Sequence, residues 1–143
     1  MRTLPFLLPL LAACGSGFNT TEGKNTDFEE NPDLDAPVIT TEPVEDALPM
    51  GTDVDISATV TDDGSGVTFV TLYFKSETAG PDDWENRLMT EGEADLWSAT
   101  IPGAAQSGAG MFYYIEAVDA AENYAWAPTR GPDDPFHFSV YEE

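Results

Sequence analysis

The sequence predicts an all-β protein, an antiparallel Greek-key β-sandwich of about seven strands that follows a disordered acidic tether. Three observations predict it. From Pro37 onward the chain is a series of short runs in which apolar and polar residues alternate. Turn residues (Gly, Pro, Asp, Asn) separate these runs at intervals of roughly eight to twelve residues. No segment of useful length carries the apolar period of a helix.

Val38 and Ile39, closed off by Pro43, read as a first strand at a sheet edge, where proline is tolerated. From Asp53 to Thr61 the alternation is cleanest: Val54, Ile56, Ala58 and Val60 face a core, and Asp55, Ser57 and Thr59 face water. Asp62-Asp63-Gly64-Ser65-Gly66 is a turn, since glycine takes positive φ and Asp and Ser bond local backbone. The third strand, Val67 to Lys75, sets Val70, Leu72 and Phe74 against Phe69, Thr71, Tyr73 and Lys75. Trp84 to Met89 is a weaker fourth, and Leu96 to Ile101 a fifth with Trp97, Ala99 and Ile101 inward. The most aromatic strand begins at Met111, with Tyr113, Ile115 and Ala117 on one face and Phe112, Tyr114, Glu116 and Val118 on the other. It runs into an acidic turn that ends at Asn123. Trp126 to Asp134 then reads as an irregular loop, and Phe136, Phe138 and Val140 alternate with His137, Ser139 and Tyr141 in a final strand.

The formal net charge is −22 over 143 residues. A field of that sign repels polyanions, so nucleic acid and anionic membrane surfaces are excluded as electrostatic partners. Its first consequence is solubility. Cys14 is the single cysteine, so no intrachain disulfide forms and packing alone holds the domain together.

Residues 1–13 have the layout of a secretion signal: Met1-Arg2-Thr3 supplies a minimal positive start, and an apolar run too short to span a bilayer follows. Leu11-Ala12-Ala13-Cys14-Gly15 resembles a bacterial lipobox, where a peptidase cuts before the cysteine. The resemblance implies that Cys14 becomes a lipidated N-terminus, whose several acyl chains suffice for stable anchoring. It also implies a cell-envelope location; Gly15, rather than Asp, points by family habit to the outer membrane or cell surface. Residues 14–36 are expected to form a flexible acidic linker, too poor in bulky apolar residues to offset the entropy of ordering.

The remaining stretch, 37–142, resembles bacterial Ig-like and fibronectin type III-like domains. The likeness is carried by Val60-Thr61-Asp62-Asp63-Gly64-Ser65-Gly66-Val67, Val70-Thr71-Leu72-Tyr73-Phe74, Ala99-Thr100-Ile101-Pro102-Gly103 and Tyr113-Tyr114-Ile115-Glu116-Ala117-Val118-Asp119 with Asn123. By that resemblance Tyr113 is the corner tyrosine, its hydroxyl bonded to nearby backbone. Ile115 stands where antibody domains carry a cysteine, and Leu72 where they carry a tryptophan, so the core expected is the disulfide-free, fibronectin-like one.

Two candidate sites follow. In this topology the turn before the third strand and the turn after the aromatic strand emerge at one pole. That would gather Asp62, Asp63, Ser65, Asp119, Glu122 and Asn123 into an oxygen-rich cage suited to Ca²⁺. The same residues are also what tight turns require. The second candidate is an outer sheet face with Tyr73, Phe112, Tyr114 and Tyr141 as a surface for a protein or glycan ligand, and Trp126 and Tyr124, beside the acidic pole, add an aromatic contact of their own. Cross-strand pairing that stabilises the sheet explains the same aromatics.

Catalysis has no support. His137 is the only histidine, and no phosphate loop, zinc spacing or nucleophile elbow occurs. No cofactor other than calcium is expected. The function expected is that of an envelope lipoprotein displaying a non-catalytic binding or adhesion module. The alternatives are a structural or accessory subunit of an envelope assembly and a carbohydrate-binding module.

Overall fold

The alternation of Val54, Ile56, Ala58 and Val60 with polar neighbours becomes a strand buried at every second residue, and around it two sheets close on one core. The computed structural model describes residues 32–143; Cys14 and the linker up to residue 31 lie outside the described residues. In chain order the strands are β1 (Val38–Thr40), β2 (Leu48–Pro49), β3 (Val54–Thr61), β4 (Val67–Ser76), β5 (Glu85–Leu88), β6 (Thr90–Glu91), β7 (Leu96–Ile101), β8 (Gly110–Asp119), β9 (Tyr124–Ala127) and β10 (Phe136–Tyr141).

The first sheet has the order β1-β3-β7-β6, and the second β2-β10-β8-β4-β5, with β9 also paired to β8. Every pairing is antiparallel except β2 with β10, which is parallel. Val54, Ile56, Ala58, Val60, Trp97 and Ile101 from the first sheet pack against Val70, Leu72, Phe74, Met111, Tyr113, Ile115, Ala117, Phe138 and Val140 from the second. The protein is an all-β sandwich.

Five connections carry the chain between the sheets, and two of them are each fixed by one buried residue. Between β1 and β2 the chain crosses an open side of the sandwich, and there the Val44 N–H donates to the Tyr113 hydroxyl at 3.0 Å. Tyr113 is fully buried against Phe136 and Phe138. Its partner thus lies 69 residues away in sequence, in a crossing segment rather than in backbone near the tyrosine. Between β5 and β6 the buried Met89 sits at the other crossing, with its N–H bonded to the Val70 carbonyl at 2.8 Å.

Two expectations need correction. The stretch from Trp126 does not begin as an irregular loop: Tyr124–Ala127 is β9, paired with β8 from Ile115↔Ala127 to Val118↔Tyr124. The acidic turn is therefore the bend of a hairpin. The ten strands exceed the expected seven because β2, β6 and β9 are too short to show a period. The compact unit takes in the chain from Asp33 onward. The Asn123 side-chain amide donates to the carbonyls of Asp33 (3.0 Å) and Asp35 (3.3 Å), which ties the end of the expected linker to the sandwich.

Candidate functional site

Side chains at paired positions of neighbouring strands share a face, so register alone arranges the outside of the second sheet. Tyr73 pairs with Tyr114, Thr71 with Glu116 and Phe69 with Val118. Across the next ladder Glu116 meets Trp126 and Val118 meets Tyr124. On the far side Leu88 is opposite Thr71. An aromatic and aliphatic strip therefore crosses four strands.

The rings of this strip touch. Tyr73 and Tyr114 stack at 4.7 Å between centroids with 4° between planes. Trp84 meets Tyr114 edge-on at 4.9 Å, and Trp126 meets it edge-on at 6.4 Å. Tyr124 lies 5.5 Å from Trp126. Trp84 is held there by Lys75, whose ammonium sits 4.8 Å over the indole and donates to the carbonyls of Gly80 and Pro81 at 3.0 and 2.9 Å. Beneath Trp126 lies Gly131, with φ of +53°, where any Cβ would collide with the indole. Glu116 is the only carboxylate in the middle of the strip; it accepts from Trp126 Nε1 at 2.8 Å and from the Tyr73 hydroxyl at 3.5 Å.

Burial pushes the Tyr114 phenol up to about 12, helped by the neighbouring Tyr73 and Glu116. Burial followed by the Glu116 charge raises Tyr73 in the same direction. Both rings are held neutral across the physiological range.

The expected contact residues thus separate. Tyr114 is only 7% exposed and forms the floor of the cluster, not a contact. Phe112 belongs to a different pair, 5.0 Å from the ring of His137, whose Nε2 is 2.7 Å from Glu77. Tyr141 is exposed at the β10 edge, opposite Pro49. Tyr73, Tyr124 and Trp126 remain in the strip. Sequence reasoning missed Phe69 (40% exposed) and Leu88 (70%). Phe69 was legible as an outward residue of its strand, but a bulge between Val67 and Phe69 sets its final neighbours.

The acidic pole adjoins the Phe69–Val118–Tyr124 row. Asp119 continues the inward row of Met111, Tyr113, Ile115 and Ala117, so it is a core-facing strand residue at the open end of the sandwich, 2% exposed. The two turns do meet: Ala120 N–H bonds the Gly66 carbonyl at 3.0 Å, and Ala121 N–H bonds the Ser65 hydroxyl at 3.1 Å. Of the six expected ligands, Asp62 and Asp119 converge. The third carboxylate of the group is Asp33, and one oxygen from each of the three lies within 4.8 Å of the others. Asn123 braces them through its amide to Asp119 Oδ2 at 2.8 Å, and Ser65 through its N–H to Asp33 Oδ2 at 2.7 Å. Donation by the Ser65 hydroxyl and N–H, then by the Asp35 N–H, holds Asp33 below the usual carboxylate range.

Asp63 and Glu122 stand outside this group. Asp63 lines a shallow cleft with Asp35, Ala36 and Val38. Glu122 is exposed on a backbone with φ of +70°. Asp33 was hidden in the sequence because it sits in a stretch whose composition reads as linker.

No family model matches the chain, and no curated protein matches it. Among solved structures, it is similar to a β-glucosidase from Listeria innocua in complex with glucose, with 12% identity and a TM-score of 0.45. The gluconolactone complex of the Listeria innocua β-glucosidase gives 14% identity and a TM-score of 0.46. In both, the match covers 75% of this chain and 16% of the glucosidase chain, so this chain spans about a sixth of the proteins it resembles.

Proposed function

We propose that this chain is a cell-envelope lipoprotein, anchored through Cys14, whose sandwich is a non-catalytic module that binds another protein through the outer face of its second sheet. The observation that carries this reading is the contrast between the two outer faces. Apart from Leu96 and the edge residue Val38, the first sheet presents Asp55, Ser57, Thr59, Ser98 and Thr100, the residues a solvent-facing sheet needs. The second presents a braced aromatic floor with Phe69, Leu88 and Tyr124 standing exposed around it. Rigid aromatic anchors set among polar groups are the composition of binding hot spots, because large rings bury much surface at little conformational cost.

The anionic remainder of the surface keeps such a patch from collecting acidic partners and favours neutral or basic ones. Affinity capture from envelope extracts with the full chain as bait is the test. The variants Tyr124→Ala and Phe69→Ala should lose the captured protein while keeping the wild-type Tm to within a few degrees. A captured set unchanged by both variants would sink the reading. Binding to a glycan array that depends on Tyr124 and Trp126 would replace the protein partner with a sugar. Mass spectrometry of the native protein checks the anchor, which an unmodified Cys14 would remove.

A further inference from the structure

The strand that switches sheets leaves a cleft behind it. Glu85–Leu88 pairs with β4 in the second sheet, and Thr90–Glu91 pairs with β7 in the first. Pairing with β7 stops at Thr90↔Ser98, so the segment peels away beside Ala99 and Thr100. A cleft of about 480 Å³ opens there, within the roughly 300–1,000 Å³ range of small-ligand sites.

Register builds its floor. Side chains at paired positions share a face, so Ser57, Ser98 and Thr90 form one row across three strands, and Asp55 and Thr100 form the next. All five line the cleft, with Arg87 and Leu88 of the departing strand at its side. The Thr100 hydroxyl donates to Asp55 Oδ1 at 2.6 Å, which orients the carboxylate and engages one of its two oxygens.

Arg87 is the unexpected member. The chain has 27 Asp and Glu against 5 Lys and Arg, yet the Arg87 guanidinium forms no ion pair among the described residues. Arg87 is opposite Leu72, which faces the core. Its side chain therefore leaves the edge strand toward the first sheet instead of over the outer face of the second. Leu88, the next residue, is 70% exposed.

A guanidinium only donates, a carboxylate only accepts, and hydroxyls do both. Such a set matches a ligand that presents many hydroxyl groups, each of them donor and acceptor. Leu88 adds apolar surface for the C–H face of a ring. Charge narrows the class further: the net charge of −22 opposes an anionic sugar, and Arg87 opposes a cationic one.

We propose that this cleft binds a neutral saccharide, with Arg87 donating to its oxygens and Asp55 accepting from its hydroxyls. The Ser and Thr hydroxyls of the floor complete the contacts. The site shares only Leu88 with the aromatic strip, so it is a second binding surface beside the protein-binding face.

The test places the full chain on an array of neutral glucan, mannan, xylan and chitin oligomers, with uronate and sulfated oligomers as controls. Calorimetry with the strongest binder follows. Binding confined to neutral oligomers is expected, weakened at least about tenfold by Arg87→Ala and by Asp55→Ala. Both side chains are exposed, so each variant keeps the wild-type Tm to within a few degrees. Tyr124→Ala should bind the sugar as wild type does, which separates this site from a glycan stacked on the strip and from partner capture. If no neutral oligomer binds, the site is overturned, and Arg87 is only the inward charge that guards an edge strand against pairing. Wild-type affinity in either cleft variant would overturn the assignment of the residues. Tighter binding of uronate oligomers would overturn the neutral class.

Discussion

The two outer faces of this sandwich occupy equivalent positions and have opposite chemistry. On the first sheet, the outward residues of β3 and β7 are Asp, Ser and Thr with the exception of Leu96, and the Thr100 hydroxyl donates to Asp55 at 2.6 Å. On the second, the outward residues of β4, β8 and β9 are mostly aromatic, and one of them, Tyr114, is nearly as buried as the core. A strand facing water needs no ring there. The second sheet has in effect a second, smaller core on its outside, held by Lys75 and Glu116 rather than by another sheet. The lesson is that outward parity in a strand does not mean exposure; it depends on what folds back over the strand.

Truncation breaks the contrast most directly. Tyr114→Ala should cost about 3 kcal/mol in denaturant melts, as for a buried core aromatic. Ser57→Ala, its counterpart on the first sheet, should stay within about 0.5 kcal/mol. Equal costs for the two would mean that the aromatic floor is only a surface decoration.

A gentler probe is pH. Tyr114 and Tyr73 have folded-state values raised above the ordinary 10, so the stability they contribute is fully present below pH 10. It is lost as pH rises through the folded value, about 12 for Tyr114. Allowing for solvent screening, alkaline melts should lose about 1 kcal/mol from this cluster between those limits. The Tyr114→Ala variant should lose less over the same range, and an equal loss would locate the effect elsewhere.

The smallest effect sharpens the picture of Glu116. Trp126→Phe keeps the ring but removes the Nε1–H that Glu116 accepts. About 1 kcal/mol should be lost for this half-exposed, charge-assisted bond. Trp126→Phe combined with Glu116→Gln should cost less than the sum of the two single changes.

Much of the core was legible in the primary structure. The period-2 rows Val54-Ile56-Ala58-Val60, Val70-Leu72-Phe74 and Tyr113-Ile115-Ala117 face inward as expected, because alternation is a local property that the pleat converts into a face. Short strands are not legible: the two residues of β2 and of β6 carry no period, and the four of β9 read as loop without the pairing to β8 that makes them a strand. The aromatic site was half legible. Tyr73 and Trp126 lie on the expected face, but the burial of Tyr114 depends on Trp84, which a turn stapled by Lys75 delivers.

By itself, then, the sequence determined which residues turn inward and that the domain is built of strands, since both follow from spacing along the chain. Only the tertiary structure decided which outward residues are covered, and that Asp33 joins Asp62 and Asp119. The physical reason is separation. Asp33 and Asp119 meet because Asn123, 90 residues further along the chain than Asp33, bonds the backbone of one and the carboxylate of the other. No local pattern encodes a contact made across that distance.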